Sequence, residues 1–313
     1  MKFESLERSH PNIFKARVQS TDVLNRLSVN MPDVSGVSVV ANGSLARGEV
    51  TSQSDFDAYP LYNRGAKAAA EQLFATVQGR AGLKEFAAEG AFGVAAAAEA
   101  MSRNIGGQGD DNHRFTRRML LILESTPIGN RSVYDATVER VISRYINDEI
   151  SDKQIGRFLL NDIIRFYRQM CVDFEFKTVE QTKPWGLRYA KLIFSRKIIY
   201  YSGVIMCAEL ADKKAAEKRT CLEEMVNLPP IDRLLSVLGE SIIPALTEYD
   251  NFLAHLDHKQ SRDDLAQVKM SRETHTNLFK EVKTSGHRYS GILVDVIRKK
   301  YPVDHPIRES LIV

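Results

Sequence analysis

One segment limits the possible folds of this chain more than any other: residues 36–57, GVSVVANGSLARGEVTSQSDFD. The segment begins with a short β-branched run at 36–41, which is typical of a buried strand. The Asn42-Gly43 pair then predicts a turn, followed by a short helix start. After a polar loop, DFDAYPLY predicts a second strand. Because proline cannot donate a ladder hydrogen bond, Pro60 predicts that this strand ends there or lies at a sheet edge.

In the rest of the sequence, the predicted secondary structure changes at Arg114 from mixed strands and helices to helices alone. Before it, residues 65–79 predict a helix, 83–86 a short third strand and 104–113 a loop. After it, apolar residues recur at helical spacing almost throughout, with predicted helices at 131–148, 152–170, 186–210, 212–226, 231–255, 260–283 and 286–300. We therefore expect an α+β chain with a small mixed-sheet domain at 1–113 and an all-helical domain at 114–313.

Composition supports a folded protein without identifying a partner. The chain has 313 residues, of which 43% are hydrophobic and 27% charged, which excludes disordered and fibrous classes. A net charge of +3 is too small to indicate nucleic-acid or membrane binding by itself. The absence of a signal-peptide pattern and of a long apolar run, together with three cysteines in no zinc or redox spacing, predicts a cytoplasmic protein with no membrane partner.

The chemistry of residues 43–57 favours phosphate and metal binding. A strand that ends in Gly-Ser and leads into a helix presents backbone N–H groups, and the missing side chain of Gly43 lets a phosphate approach. The Ser44 hydroxyl adds a donor. Asp55 and Asp57 alternate on a predicted strand, so both carboxylates face one side. Two such carboxylates repel unless a cation lies between them, and Mg²⁺ prefers carboxylates together with substrate phosphates.

These residues resemble a known signature. GSLARGEVTSQSDFD is similar to the G-S-x-A-R-G-E-x-x-x-x-S-D-x-D motif of the DNA polymerase beta-like nucleotidyltransferase superfamily. The resemblance implies a strand–helix–strand site in which Gly43 and Ser44 hold the β- and γ-phosphates and Asp55 and Asp57 hold Mg²⁺ or Mn²⁺. It implies that Arg47, with Glu49, braces the loop, although Arg47 could touch phosphate, and it includes Ser54 among the nucleotide-binding positions.

The same resemblance implies a third carboxylate that helps to activate the attacking hydroxyl. No clear apolar-Asp-apolar strand follows Asp57, so Glu85 in LKEF is the predicted residue, with Glu89 as the alternative. Asp110, Asp111 or the acids at 162, 173 and 175 remain further alternatives. If none serves, the fold would bind a nucleotide without catalysis.

Two further segments carry candidate phosphate ligands. In NIGGQGDDNHRFTRR (104–118), a glycine-rich turn precedes Arg117 and Arg118, which could reach a triphosphate. The alternative is that Asp110 or Asp111 caps the next helix. Residues 157–197 hold nine basic and four acidic residues interleaved with aromatics, and Lys191 and Arg196 are the predicted nucleotide ligands there. The alternative is that the aromatics are core and the charges are solvated.

These patterns together predict a Mg²⁺-dependent nucleotidyltransferase. It would move an NMP from an NTP or dNTP to an acceptor hydroxyl and release pyrophosphate. The acceptor is expected to carry phosphate, as a nucleotide, an oligonucleotide or an RNA end would. The resemblance to the superfamily implies a setting such as bacterial antiviral defence or a toxin–antitoxin pair. The alternatives are an enzyme that modifies a protein or small molecule, and a non-catalytic NTP-binding regulator or antitoxin that acts on a partner protein.

Overall fold

The computed structural model describes residues 3–84 and 91–312, and they form a mixed α+β chain as expected. The strands are β1 (Val37–Ala41), β2 (Ala58–Tyr62), β3 (Ala96–Ala97) and β4 (Thr126–Ile128). The helices are α1 (Pro11–Ser28), α2 (Gly43–Arg47), α3 (Lys67–Arg80), α4 (Asn112–Leu123), α5 (Ser132–Tyr145), α6 (Arg157–Val179), α7 (Trp185–Lys191), α8 (Lys197–Ala208), α9 (Ala215–Val226), α10 (Pro230–Leu238), α11 (Ile243–Asp257), α12 (Lys259–Gln267), α13 (Asn277–Lys300) and α14 (Pro306–Ser310). Among these helices, none is both long and apolar enough to cross a membrane.

The chain divides into two compact units. The sheet unit comprises Ala16–Gly156 and Leu210–Pro229, and the helical unit comprises Met1–Lys15, Arg157–Glu209 and Pro230–Val313. This division differs from the boundary expected at residues 113 and 114. The reason is that β4 follows α4 and pairs with β1, which holds that part of the chain on the sheet. Pro127 within β4 and its short length concealed this strand in the sequence pattern.

The sheet has the order β3-β2-β1-β4 and is mixed. β1 is antiparallel to both β2 and β4, whereas β3 runs parallel to β2. All five residues of β1 are buried, as expected for this short valine-rich segment. Apolar side chains of β1, α1 and α3 form the core beneath the sheet, including Val39, Leu27 and Phe74.

Pro60 lies within β2, opposite Val39 of β1, so the expected edge position or strand end is wrong. The register explains why proline fits there. The N–H of Asn42 donates to the carbonyl of Asp57 at 2.7 Å, so the Asn42–Asp57 pair is hydrogen-bonded. Because such pairs alternate along an antiparallel ladder, the Val39–Pro60 pair is a non-hydrogen-bonded one. The nitrogen of Pro60 therefore points away from β1, and the pairing with β3 begins only at Leu61.

In the helical unit, α7 passes through one π-helical turn, Leu192–Arg196, into α8. Phe194 of that turn is buried and stacks on Phe252 of α11 with 4.5 Å between ring centroids. The start of α1 joins this unit, because the carboxylate of Asp250 accepts from the backbone N–H groups of Asn12 and Ile13 at 2.9 and 2.8 Å. The single predicted helix at 260–283 is instead α12 and the first part of α13.

Candidate functional site

The turn between β1 and α2 depends on two glycines. Asn42 is extended, and Gly43 then adopts a φ of 60° that directs the chain into the single helical turn of α2. Gly48 ends that turn in the left-handed region at a φ of 71°. Both values are readily reached only by glycine. The first-turn N–H groups of such a helix have no intrahelical acceptor, so they remain available to a ligand.

The two halves of the motif meet at Gly43 and Asp57. The Asn42–Asp57 backbone pair extends the β1–β2 ladder by one residue and brings Asp57 beside the turn. A Cβ atom on Gly43 would lie 3.1 Å from the Cβ and 3.2 Å from the Cγ of Asp57, and closer still to its Oδ2. The Asp57 carboxylate therefore packs directly on the glycine backbone, where a side chain would displace it.

Asp55 and Asp57 flank Phe56, whose orientation sets theirs. Phe56 is buried and stacks on Phe74 of α3, with 6.4 Å between ring centroids. Successive side chains of an extended segment point to opposite faces. Asp55 and Asp57 therefore face away from the core, and Asp55 is exposed while Asp57 is half-buried. A parallel bridge between Asp55 and Lys84 keeps this segment extended, with the Phe56 N–H donating to the Lys84 carbonyl at 2.8 Å.

Arg47 braces the turn from the inside. It is 6% exposed, and its Nε donates to Glu49 at 2.8 Å while Nη1 bonds to Glu124. Asn42 joins this group, because its Nδ2 donates to the Glu124 carbonyl at 2.9 Å. This arrangement fits the bracing role expected of Arg47 and Glu49. Sequence reasoning missed Asn42 and Glu124, although the Asn-Gly pair marked the turn.

Ser54 has a local structural role. Its Oγ accepts from the backbone N–H of Thr51 at 2.9 Å, and its own N–H donates to the Thr51 carbonyl at 3.1 Å. These bonds close the turn that delivers the chain to Asp55. Its predicted contact with a nucleotide stays a prediction.

Arg118 does not lie at the surface where a nucleotide could reach it. Its guanidinium is fully buried and donates to both carboxylate oxygens of Asp110, at 2.8 and 2.6 Å, and to the Tyr145 hydroxyl at 2.8 Å. Burial alone would lower the pKa of Arg118, but the bonds and charge of Asp110 and Tyr145 raise it above its ordinary value. The structure therefore gives Arg118 a structural role in place of the predicted phosphate contact.

Arg117 and Asp111 also form internal contacts. Arg117 donates from Nε to the Ala91 carbonyl at 2.9 Å and lies over the ring of Tyr59, 5.7 Å from its centroid. Burial lowers the pKa of Arg117, against the opposing effect of Tyr59. Asp111 caps α4 by accepting from the N–H of Arg114 at 2.9 Å, which confirms the capping alternative for this loop.

The remaining predicted ligands divide between the helical unit and the undescribed residues. Lys191 ends α7 and Arg196 ends the π-helical turn, and both are half-buried. Their predicted nucleotide contacts stay predictions. Glu85 and Glu89 lie outside the described residues, so the third carboxylate is not located.

The donor set at Asp55 and Asp57 suits a hard divalent cation. Both side chains would bind a metal through carboxylate oxygens. Mg²⁺ is commonly held by one or two carboxylates, with water and substrate phosphate completing its coordination shell. Within residues 3–84 and 91–312, no group of three or more His, Cys, Asp or Glu side chains forms a metal cluster. A metal held by this pair would gain further ligands from water and substrate phosphate, as Mg²⁺ commonly does.

Comparison with models of known protein families gave no match, and comparison with curated proteins found no significantly similar sequence.

Proposed function

We propose that this chain is a Mg²⁺-dependent nucleotidyltransferase whose site is the turn at Gly43 and the carboxylates of Asp55 and Asp57. One observation carries the proposal: the Asp57 carboxylate packs on the backbone of Gly43. This contact joins a glycine turn suited to phosphate with an acidic strand suited to a cation. A phosphate bound at the turn would lie beside the carboxylates, and a divalent cation between these anions would offset their mutual repulsion.

Each residue then has a defined task. The backbone of Gly43 and the hydroxyl of Ser44 bind the β- and γ-phosphates of an NTP, and Asp55 and Asp57 hold the metal. A divalent metal at these carboxylates would stabilise the negative charge that develops on the phosphate oxygens. The buried Arg47–Glu49–Glu124 group holds the turn in one conformation, so little reorganisation is needed when the nucleotide binds.

The charge of residues 157–197 supports a phosphate-bearing acceptor. Nine basic residues against four acidic ones give this segment a local excess of positive charge, which favours a nucleotide, an oligonucleotide or an RNA end. A protein or a small molecule as the acceptor, and a role in defence or toxin–antitoxin systems, remain part of the same proposal. Identifying the acceptor that becomes labelled decides among them.

The test uses NTPs labelled at the α-phosphate, with Mg²⁺ or Mn²⁺ and with pooled nucleotide, RNA and protein acceptors. It measures both the release of pyrophosphate and the transfer of the label to an acceptor. We expect wild-type protein to release pyrophosphate and to label one acceptor class. Asp55→Ala and Asp57→Ala should abolish release. Asp22→Ala is the matched control, because Asp22 is an exposed carboxylate on α1 of the same unit. Full activity in Asp57→Ala would refute the proposal.

A non-catalytic nucleotide-binding regulator is the second candidate. It uses the same Gly43 turn and the same Asp55 and Asp57 carboxylates, but it needs no third carboxylate to activate an attacking hydroxyl. This candidate predicts that labelled NTP binds the wild-type protein and is lost in Asp57→Ala, while no NTP or dNTP yields pyrophosphate with any acceptor. Turnover with any nucleotide would exclude it.

A further inference from the structure

Helix α6 exposes one continuous face along its whole length. Its buried residues, Leu159, Leu160, Asp162, Ile163 and Phe166, all lie in its first half. From residue 167 to its end at Val179, the helix has only half-buried and exposed side chains. We define the α6 outer face by its exposed residues that recur every three or four positions: Phe158, Asn161, Arg165, Arg168, Val172, Glu175, Phe176 and Val179.

Three of the four residues in the second half of this face, all except Glu175, are apolar. Val172 is 70% exposed, Phe176 52% and Val179 55%. Their spacing of i, i+4 and i+7 places them within one stripe on the helix surface. Single exposed apolar residues need no explanation, but an aligned set on one helix indicates an interaction surface.

We propose that the α6 outer face binds the same face of a second copy of this chain, in an antiparallel helix pair with its two-fold axis beside Val172. The proposal uses none of Gly43, Ser44, Asp55 and Asp57, although Arg168 also belongs to the basic segment 157–197. The charges on the α6 outer face favour a second copy of this chain as the partner, because they are complementary to themselves in an antiparallel pair. In such a pair, the residue n positions after Val172 lies level with the partner's residue n positions before it.

This rule places opposite charges together. Glu175, three residues after Val172, falls about 1.5 Å along the axis from the partner's Arg168, four residues before it. At about 100° per residue, Arg168 and Glu175 lie on the same side of the Val172 direction. The two-fold axis keeps them on one side in the pair, so two Arg168–Glu175 ion pairs form.

The apolar residues are covered at the same time. Val172 meets the partner's Val172 at the axis. Phe176 lies on the other side of the Val172 direction from Arg168, about 4.5 Å along the axis from the partner's Arg165, which is on the same side as Phe176. Arginine stacks favourably on an aromatic face, so a contact between these two side chains complements the ion pair. Asp173 and Lys177, which lie off this face, bond to each other within the helix at 2.7 Å and are not needed by the partner.

Disulfide crosslinking at the axis tests the geometry. Val172→Cys should form a covalent dimer on mild oxidation, because the two thiols would face each other. The wild-type protein provides the baseline for the native cysteines. Val303→Cys is the matched control, since Val303 is 83% exposed but lies outside α6. Equal crosslinking of Val172→Cys and Val303→Cys would overturn the proposal.

Charge exchange tests the assigned pairs without removing apolar surface. In sedimentation equilibrium, Arg168→Glu and Glu175→Arg should each raise the dimer dissociation constant by about tenfold or more. The double variant should restore it, because each ion pair is then reversed. A wild-type protein that stays monomeric at all concentrations would contradict the proposal. If that monomer bound RNA and Arg168→Glu lost the binding, the face would be assigned to nucleic acid.

Discussion

The Asp57 carboxylate lies against the Cα of Gly43, where a Cβ atom would come within 3.1 Å of the Asp57 Cβ. This contact arises because the β1–β2 pairing continues one residue past the end of β1 and before the start of β2, to the Asn42–Asp57 pair. The same register that holds the sheet together therefore positions the acidic side chain over the turn. Small changes at either residue should affect ligand binding before they affect the fold.

Gly43→Ala should weaken nucleotide binding and reduce stability more than a comparable glycine substitution elsewhere. Forcing alanine into a positive φ costs about 1–2 kcal/mol, and at Gly43 the new methyl group also displaces Asp57. Urea unfolding and nucleotide titration measure the two effects.

Gly239→Ala is the matched control for that substitution. Gly239 has a φ of 57°, close to that of Gly43, and a Cβ there would meet no atom within 4 Å. It therefore reports the conformational cost alone. Equal losses of unfolding free energy in the two variants, with nucleotide affinity unchanged in both, would show that the Gly43–Asp57 contact is unimportant.

Arg118→Met should destabilise the protein by about 3–5 kcal/mol, because it leaves the buried Asp110 carboxylate without its partner. Arg114→Met is the control. Arg114 is on the same helix, but its side chain is 43% exposed and its contact with Asp111 spans 3.8 Å, so its loss should cost about 1 kcal/mol or less. Guanidinium-induced unfolding measures both changes. A cost for Arg118→Met no greater than that for Arg114→Met would argue against a structural role for the Asp110 pair.

Lys218→Met should reduce stability by about 3 kcal/mol. Lys218 is fully buried, and its Nζ donates to the carbonyls of Asp152, Leu210 and Lys213, the first two at 2.8 and 2.7 Å. Methionine would fill the space but leave three carbonyl acceptors, of which that of Leu210 is buried, without a charged donor. Thermal unfolding measures the loss, with the exposed Lys153→Met as control. Equal melting temperatures for the two variants would contradict this assignment.

His255 should make the helical unit less stable in mild acid. Burial lowers its pKa below the ordinary 6.5, His258 adds to this effect, and Glu281 opposes it. The unfolded chain therefore binds a proton more readily than the folded one. Stability attributable to His255 should fall as the pH decreases through 6.5 towards the lowered pKa. In unfolding measured across this range, His255→Gln should flatten the profile and the exposed His113→Gln should not. A wild-type profile in His255→Gln would assign the dependence to another group.

The sequence pattern located the elements whose signals are local. The β-branched run, the Asn42-Gly43 pair and the alanine-rich segment predicted β1, the turn before α2, and α3, each within a few residues. The Gly-Ser and Asp-x-Asp spacing also predicted that Gly43 and Asp57 lie together, and the structure places them in contact, because a one-residue extension of the β1–β2 ladder brings Asp57 beside the turn. Their predicted role in binding stays a prediction.

What the pattern could not show depends on contacts distant in sequence. Arg118 has the positive charge and the N–H donors of a phosphate ligand. Only the fold reveals that these donors bond to Asp110 and Tyr145. Pro60 is tolerated within β2 because of a register that no local rule specifies. β4 has three residues including a proline, so pairing with β1 is what defines it as a strand.

The most direct test of the account is the linkage between metal and nucleotide binding. NTP affinity should be measured by calorimetry with and without Mn²⁺ for the wild type, for Asp57→Asn and for the control Asp22→Asn. The account predicts that Mn²⁺ raises NTP affinity by tenfold or more, about 1.4 kcal/mol, in the wild type and in Asp22→Asn, and that Asp57→Asn loses this gain. An equal gain in Asp57→Asn would contradict the claim that Gly43 and Asp57 form one site for triphosphate and metal.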